Sequence, residues 1–263
     1  IDVIEDSERI TIDNGVIRYS AMKQSTLPTV YSLGYKDIEW LDQVPQGFVP
    51  RAFFNPYSGG IITVPSNVKL NHLIKDTHKL EHAVLKDQHA NLWKGLCWES
   101  TISQYEPLKG LIYRQYYLTA PGLPILLHSV EILESLNKAN YLAFCMKTHL
   151  HTENIMPLLK FTYPNSSNVW QSYKSSKKQY RRGGVGCIYK IYAQDTILHA
   201  MSLNNRNFSM NQNSEYYCLT DYSYSSLNPQ KGEIIPPIMM IFCEDELDCE
   251  MAQDLLNLHL TRC

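Results

Sequence analysis

Short runs of apolar, aromatic and β-branched residues alternate with polar positions along this chain, and turn residues interrupt them roughly every ten positions. Two such runs within Arg9 to Tyr19 flank Asp13-Asn14-Gly15, and Asn-Gly favours a hairpin because both positions accept positive φ. The same pattern predicts further strands over 31–41, 97–105, 110–119, 125–134, 141–151, 187–193, 196–203, 216–222 and 238–243. Residues 78–87 fit a helix or a strand, and a strand is favoured because the neighbouring segments are strands. We expect 97–105 to pair with 110–119, and 125–134 to pair with 141–151. The chain is therefore predicted to be mostly β, a large antiparallel β-sandwich.

Two segments depart from this pattern. Residues 45–66 contain four prolines and three glycines, which predicts a long, shaped loop. Glu246 to Leu260 places Leu247, Met251, Leu255 and Leu258 at helical spacing behind acidic residues that suit the start of a helix. A C-terminal helix is expected there.

Length and composition narrow the classes of protein. With 263 residues, 44% of them hydrophobic and 19% charged, the chain is expected to form one sandwich domain over residues 1–263. A formal net charge of −2 gives no bulk attraction to nucleic acid or to an anionic membrane. The apolar runs are also shorter than the roughly 20 residues that span a bilayer. We therefore expect neither nucleic acid nor a membrane as a partner. The chain begins at Ile1 rather than Met, and we expect a processed protein or one domain of a longer polypeptide.

The seven cysteines are dispersed, without CxxC spacing. An odd, scattered set is typical of reduced thiols rather than of a disulfide framework. This predicts a cytoplasmic protein.

The order of several segments resembles a known family. Asp13-Asn14-Gly15 opens the series, Ser32 to Leu41 contains Gly34 and ends in Glu-Trp-Leu, and Asn55 to Ile61 contains Gly-Gly. Tyr116 to Gly122 then precedes the strand Ile125 to Glu134. Together these resemble the galactose mutarotase-like supersandwich domains of aldose epimerases and of many glycoside hydrolases and lyases. The resemblance extends over residues 8 to 245 and implies a supersandwich fold and a sugar ligand.

The resemblance to aldose epimerases implies a general acid and a general base in this chain. Thr148-His149 is similar to the strand end that carries the general acid, and Glu244 follows a terminal strand where a catalytic glutamate stands. The chain departs from the epimerase pattern after His149, where Leu150-His151 replaces the His-Pro-Tyr-Trp-like continuation. The Asn-Arg-Ile element of epimerases is also absent. The implied catalytic set is His149, His151 and Glu244.

A sugar site needs polar groups for hydroxyls and an aromatic face for the C–H side of the ring. The loop from Arg51 to Ile61 offers Arg51, Asn55 and Tyr57, and its Gly-Gly pair allows close backbone approach. Turn formation alone is an alternative explanation of this loop.

A second candidate segment holds His89, Trp93, Trp98 and Glu99 within eleven residues. Five positions separate the two tryptophans, so on one strand they face opposite ways. At most one of them can then line a cleft. We predict that His89, Trp93 and Glu99 bind ligand, and the alternative is that Trp93 only packs in the core.

His149 and His151 share one face of a strand, a spacing that an acid/base pair or a metal can use. Zinc usually takes a third protein ligand, and the sequence offers none beside them. We expect a polar site there, with no metal and no cofactor.

Three functions remain open at this level. The domain is a carbohydrate-recognising module with a concave cleft, an aldose-epimerase-like isomerase, or a non-catalytic scaffold that works beside other domains of a parent chain. A fold alone does not choose among them.

Overall fold

A computed structural model describes residues 1–44, 49–51, 54–136, 141–151, 159–164, 170–174, 181–182, 188–203, 208–212, 216–247, 255 and 257–263. Strands dominate these ranges, and every strand pairing within them is antiparallel. This confirms the predicted mostly β, antiparallel architecture.

The largest sheet has ten strands. In spatial order they are β15 (Trp170–Lys174), β14 (Leu159–Pro164), β17 (Ile188–Ala193), β18 (Thr196–Ser202), β21 (Ile234–Cys243), β12 (Ile125–Glu134), β11 (Ile112–Thr119), β10 (Leu92–Thr101), β9 (Thr77–Asp87) and β22 (Leu260–Arg262).

Two five-stranded sheets and a two-stranded ribbon contain the other strands of the described ranges. The N-terminal sheet is β1 (Asp2–Glu5), β2 (Arg9–Asp13), β3 (Ile17–Met22), β4 (Ser32–Tyr35) and β5 (Ile38–Glu39). The second sheet is β16 (Arg181–Arg182), β19 (Phe208–Gln212), β20 (Tyr216–Tyr224), β13 (Ala143–His151) and β8 (Ile61–Pro65), and the ribbon is β6 (Val49–Arg51) and β7 (Phe54–Tyr57). A four-residue helix α1 spans Leu70–Leu73, and a 3-10 turn spans Glu106–Leu108. Within the described part of the chain, no helix combines the length and apolar character needed to cross a bilayer.

The predicted turn between β2 and β3 is confirmed, and it also ties two sheets together. Gly15 adopts φ +88°, and the Asn14 side-chain oxygen accepts hydrogen bonds from the backbone N–H groups of Val16 and Ile17. The Asn14 amide donates to the Thr119 hydroxyl at 2.6 Å and to the Ala120 carbonyl at 2.8 Å. One side chain therefore fixes the hairpin and joins it to the end of β11.

The ten-stranded sheet buries apolar side chains on both faces. Along β12, Leu126, Val130 and Ile132 enter a large core shared with both five-stranded sheets, the inner core. Ile125 and Leu127 have the opposite parity and enter a second cluster, the outer cluster. Because side chains alternate along a strand, the outer cluster marks the opposite face of this sheet, called the outer face here.

One predicted pairing is wrong. Strand β12 pairs with β11 and β21, whereas β13 pairs with β20 and β8 in a different sheet. Both edges of β12 are already occupied, so the chain crosses to the facing sheet before β13 begins.

The prediction of one continuous loop over 45–66 is also wrong, because β6, β7 and β8 lie within it. Pro50 and Pro56 fall in the two-stranded ribbon β6–β7. Each ribbon strand pairs on one side only, so a residue without a backbone N–H is tolerated there.

The predicted C-terminal helix is not shown. Residues 248–254 and 256 lie outside the described residues, and Leu260 belongs to β22, where it pairs with Asp87 of β9. The backbone groups on the open edge of β9 are satisfied by adding a strand. Three of the apolar positions used for the prediction do face the sheet, since Leu247, Leu255 and Leu258 pack on the outer cluster, and the fourth, Met251, lies outside the described residues.

A buried carboxylate links the two facing sheets. Asp221 of β20 is fully buried and accepts a 2.8 Å hydrogen bond from the Ser202 hydroxyl at the end of β18. The neighbouring Ser223 hydroxyl also donates to it. Burial raises the pKa of Asp221 to about 6, although these two hydrogen bonds partly oppose the shift.

We expect this group to make stability depend on pH. Its folded pKa lies above the unfolded value, so its contribution is present below about pH 4 and is lost as pH rises through about 6. From about pH 5 to about pH 7.5 the loss is about 1 kcal/mol of unfolding free energy. Urea unfolding of the wild type and Asp221→Asn at both pH values measures it. Subtracting the pH-dependent change of the variant from that of the wild type removes the contribution of the other titrating groups. Equal pH dependence in the two proteins would contradict a raised pKa for Asp221.

Candidate functional site

Trp93 lies on the outer face of the ten-stranded sheet and is only 5% exposed. Its indole N–H donates to Asp87 at 3.2 Å, and the same carboxylate accepts the backbone N–H of His89 in the β9–β10 turn. His89 itself is exposed. Trp98 packs in the inner core, so the prediction that the two tryptophans face opposite ways is confirmed. The enclosure of Trp93 favours packing as its role.

Arg51, Asn55 and Tyr57 fall on β6 and β7. Their side chains lie outside the described residues, so their predicted contact with a ligand stays a prediction.

His149 is buried on β13, beneath the glycine pair that precedes β8. Its Nδ1 lies 3.2 Å from the Gly59 carbonyl and 3.1 Å from the Gly60 carbonyl, and its backbone N–H donates to Gly60 at 2.8 Å. Across the strand pair it faces Cys218, whose pKa is raised by burial but more strongly lowered by its interactions with His149 and others. These contacts make His149 an anchor for the glycine pair.

His151 and Glu244 occupy other environments. The His151 backbone N–H donates to the Trp40 carbonyl at 3.0 Å at the end of β13. Glu244 follows β21 with 65% of its side chain exposed, and a hydrogen bond from Lys36 lowers its pKa. Among the described residues, no group of three His, Cys, Asp or Glu side chains is arranged to hold a metal ion.

The predicted residues therefore divide between sheets. Trp93 and Glu99 belong to β10 of the ten-stranded sheet, whereas His149 and His151 belong to β13 of a five-stranded sheet. The structure does not bring Trp93 and His149 together.

Glu99 pairs with Arg114, and Arg114 lines a polar pocket on the outer face, the outer-face pocket, of about 240 Å³. Strands β9, β10, β11 and the C-terminal β22 border it. Its lining includes His82, Leu85, Cys97, Arg114, Tyr116 and Arg262.

Arg114 lines the pocket and is the centre of a charged group that extends beyond the lining, called the Arg114 rim here. The guanidinium contacts Glu99 at 2.8 Å and Glu81 at 3.3 Å, and Glu81 also pairs with Lys79 at 2.5 Å. Burial lowers the pKa of Arg114, but interactions with Tyr116, Cys97 and Glu99 outweigh it and leave this pKa raised. The guanidinium stays charged and is held by carboxylates on two neighbouring strands.

Glu131 of β12 is a fully buried carboxylate beside this pocket. It accepts hydrogen bonds from the Tyr116 hydroxyl and from Arg262 Nε on β22. Burial, followed by the interaction with Glu131, raises the pKa of Tyr116, so the phenol remains a donor. Burial likewise raises the pKa of the Cys97 thiol to about 12, which keeps it protonated.

The pocket lining thus combines guanidinium and phenol donors with apolar side chains. The carboxylates of Glu81, Glu99 and Glu131 hold these donors from outside the lining. Sequence reasoning found Glu99 but missed Arg114, Tyr116, Glu131 and Arg262. One signal was available: Glu131 stands between Val130 and Ile132 in an apolar strand. A carboxylate at such a position needs a partner, which predicts a polar cluster.

No protein-family model and no curated protein sequence matches this chain. Solved structures do match. A TPR-domain containing protein from Parabacteroides distasonis is 12% identical, with a TM-score of 0.59 over 92% of this chain and 48% of its own. The GH36 alpha-galactosidase from Geobacillus stearothermophilus is 11% identical, with a TM-score of 0.54 over 90% of this chain and 40% of its own. The chain thus spans about half or less of these two proteins.

A galactose mutarotase related enzyme from Lactobacillus acidophilus matches over nearly its whole length. It is 9% identical, with a TM-score of 0.55 over 89% of this chain and 96% of its own. At such identities the likeness concerns the fold, and it agrees with the segment order seen in the sequence. The chain has a galactose mutarotase-like fold.

Proposed function

We propose that this domain binds a neutral sugar or sugar-like ligand in the outer-face pocket. The observation that carries the proposal is the Arg114 rim, where a guanidinium lies between the carboxylates of Glu99 and Glu81. Adjacent sugar hydroxyls can accept from the guanidinium and donate to a carboxylate at once. The charge of Arg114 is already compensated by the two carboxylates. A charged ligand would displace one of these groups from its partner, so a neutral polyol is favoured.

Two further observations support this ligand class. A pocket of about 240 Å³ suits one sugar ring, either a monosaccharide or a single ring of a longer saccharide. A variant of the Geobacillus stearothermophilus alpha-galactosidase, which matches this chain in fold, is known in complex with raffinose.

The epimerase alternative needs an acid and a base on either side of one ring carbon. His149 is buried under Gly59 and Gly60, and Glu244 is paired with Lys36 on the surface. These placements favour a binding role over the epimerase alternative.

We also propose a cytoplasmic protein that works beside other domains of a longer polypeptide. Five cysteines are free, which suits a reducing compartment, and Cys187 and Cys249 lie outside the described residues. The matched region is less than half of the two longer neighbours, which supports a modular arrangement.

Arg114→Ala is the direct test of the pocket. We expect galactose or raffinose to bind the variant at least roughly tenfold more weakly, because a charge-assisted hydrogen bond is lost. Isothermal titration calorimetry measures both affinities, and circular dichroism checks that the fold survives.

Arg18→Ala serves as the matched control, since Arg18 is an exposed arginine on β3 with one 3.4 Å contact to Asp13. It should bind like the wild type. Equal affinities for the Arg114 and Arg18 variants, or no binding of either sugar to the wild type, would overturn the proposed function.

A further inference from the structure

A second pocket lies where β8, β13 and β20 meet, and it shares no lining residue with the outer-face pocket. Its volume is about 350 Å³, within the range of small-molecule sites. Its lining includes Ser66, Asn67, Leu111, Tyr141, Phe144 and Tyr224. We call it the aromatic pocket.

Tyr141 is the most exposed aromatic side chain of this pocket, with 51% of its surface open to solvent. Its ring meets Tyr224 edge-on, with centroids 5.2 Å apart and planes at 75°. An edge-to-face contact fixes the orientation of a ring without covering both of its faces. A large exposed ring held in this way is suited to stacking.

The backbone around Tyr141 is held from two sides. Leu142 exchanges hydrogen bonds with Ser225, at 2.7 Å to its hydroxyl and at 2.9 Å from its N–H. The next residue, Ala143, accepts the Ser66 N–H at 2.7 Å. The tyrosine is thus placed before any ligand arrives, which lowers the entropic cost of binding.

The other walls differ in character. Leu111 and Phe144 are fully buried and form an apolar floor that belongs to the inner core. Ser66 and Asn67 contribute a hydroxyl and an amide, and Asn67 adopts φ +69° in a turn closed by the Val68 N–H at 3.0 Å from the Pro65 carbonyl. An amide both donates and accepts hydrogen bonds, as a ring bearing several hydroxyls requires.

We propose that the aromatic pocket binds a pyranose ring, with the C–H face of the ring on Tyr141 and its hydroxyls toward Ser66 and Asn67. The domain then has two separate sugar sites, one on the outer face and one at the end of the five-stranded sheet. Two weak sites on one domain raise the affinity for a branched or multivalent glycan through effective concentration.

The test uses galactose as the probe and follows binding by saturation-transfer NMR and calorimetry. Tyr141→Ala should weaken galactose binding in the aromatic pocket roughly tenfold. Tyr141→Phe keeps the ring, and its affinity for galactose there should stay within about twofold of the wild type. Leu227→Ala is the matched control, because Leu227 is 69% exposed but does not line the pocket. It should titrate like the wild type.

The two sites are separated by repeating each titration with Arg114→Ala. Galactose contacts that persist in this variant and disappear on adding Tyr141→Ala support the aromatic pocket, whatever the fate of the outer-face pocket. The proposal is overturned if Tyr141→Ala binds galactose like the wild type, or if adenosine binds at Tyr141 while galactose does not.

Discussion

Arg262→Ala is expected to lower the free energy of unfolding by about 1–3 kcal/mol, although Arg262 itself is half exposed. The reason lies in its partner. Glu131 is fully buried, and the substitution removes its ion pair with Arg262 while leaving the hydrogen bond from the Tyr116 hydroxyl. Removing one partner of such a pair costs far more than the pair itself contributes. Urea unfolding measures the change.

The same strand supplies a matched control. Glu134 of β12 pairs with Lys231, and both side chains are largely exposed. Lys231→Ala should therefore change stability by no more than about 0.5 kcal/mol. Adding Glu131→Gln to Arg262→Ala should restore much of the loss, since the buried group is then neutral. If the Arg262 and Lys231 variants lose equal stability, the buried carboxylate does not control the outer face.

This pair also shows why the outer-face pocket escaped sequence reasoning. The sequence predicted β12 with its observed ends, Ile125–Glu134, because turn residues stand on both sides of this segment, Pro121 and Gly122 before it and Asn137 after it. The partners of Glu131 come from β11 and from β22, which lies 131 positions later than Glu131. Contacts across such a separation follow from sheet order, and strand periodicity carries no information on sheet order.

Sheet order likewise explains the failed pairing of β12 with β13. Nearness in sequence favours hairpins, but β13 is satisfied by β20 and β8 in the facing sheet. Side-chain chemistry alone also failed to place the predicted site residues. His149 and Trp93 have suitable chemistry for a site, yet His149 supports a glycine turn and Trp93 fills the outer cluster.

Gly60→Ala is expected to cost more than about 4 kcal/mol or to prevent folding, the second large effect. Gly60 adopts φ +53°, and a Cβ atom there would lie 2.1 Å from the Val30 carbonyl oxygen. That oxygen accepts the Ile61 N–H at 2.8 Å, in the bridge that joins Val30 to the start of β8. The backbone must therefore separate, and the bridge is lost with it.

Gly122→Ala isolates the steric part of this effect. Gly122 also has positive φ, +69°, but a Cβ atom there would meet nothing within 4 Å. Its substitution should cost only the conformational strain of about 1–2 kcal/mol. Chemical denaturation of both variants gives the difference, which we assign to the contact with Val30 and the loss of the carbonyl anchor for His149. Similar losses in the two variants would show that backbone conformation alone, and not close packing over β13, makes glycine necessary at position 60.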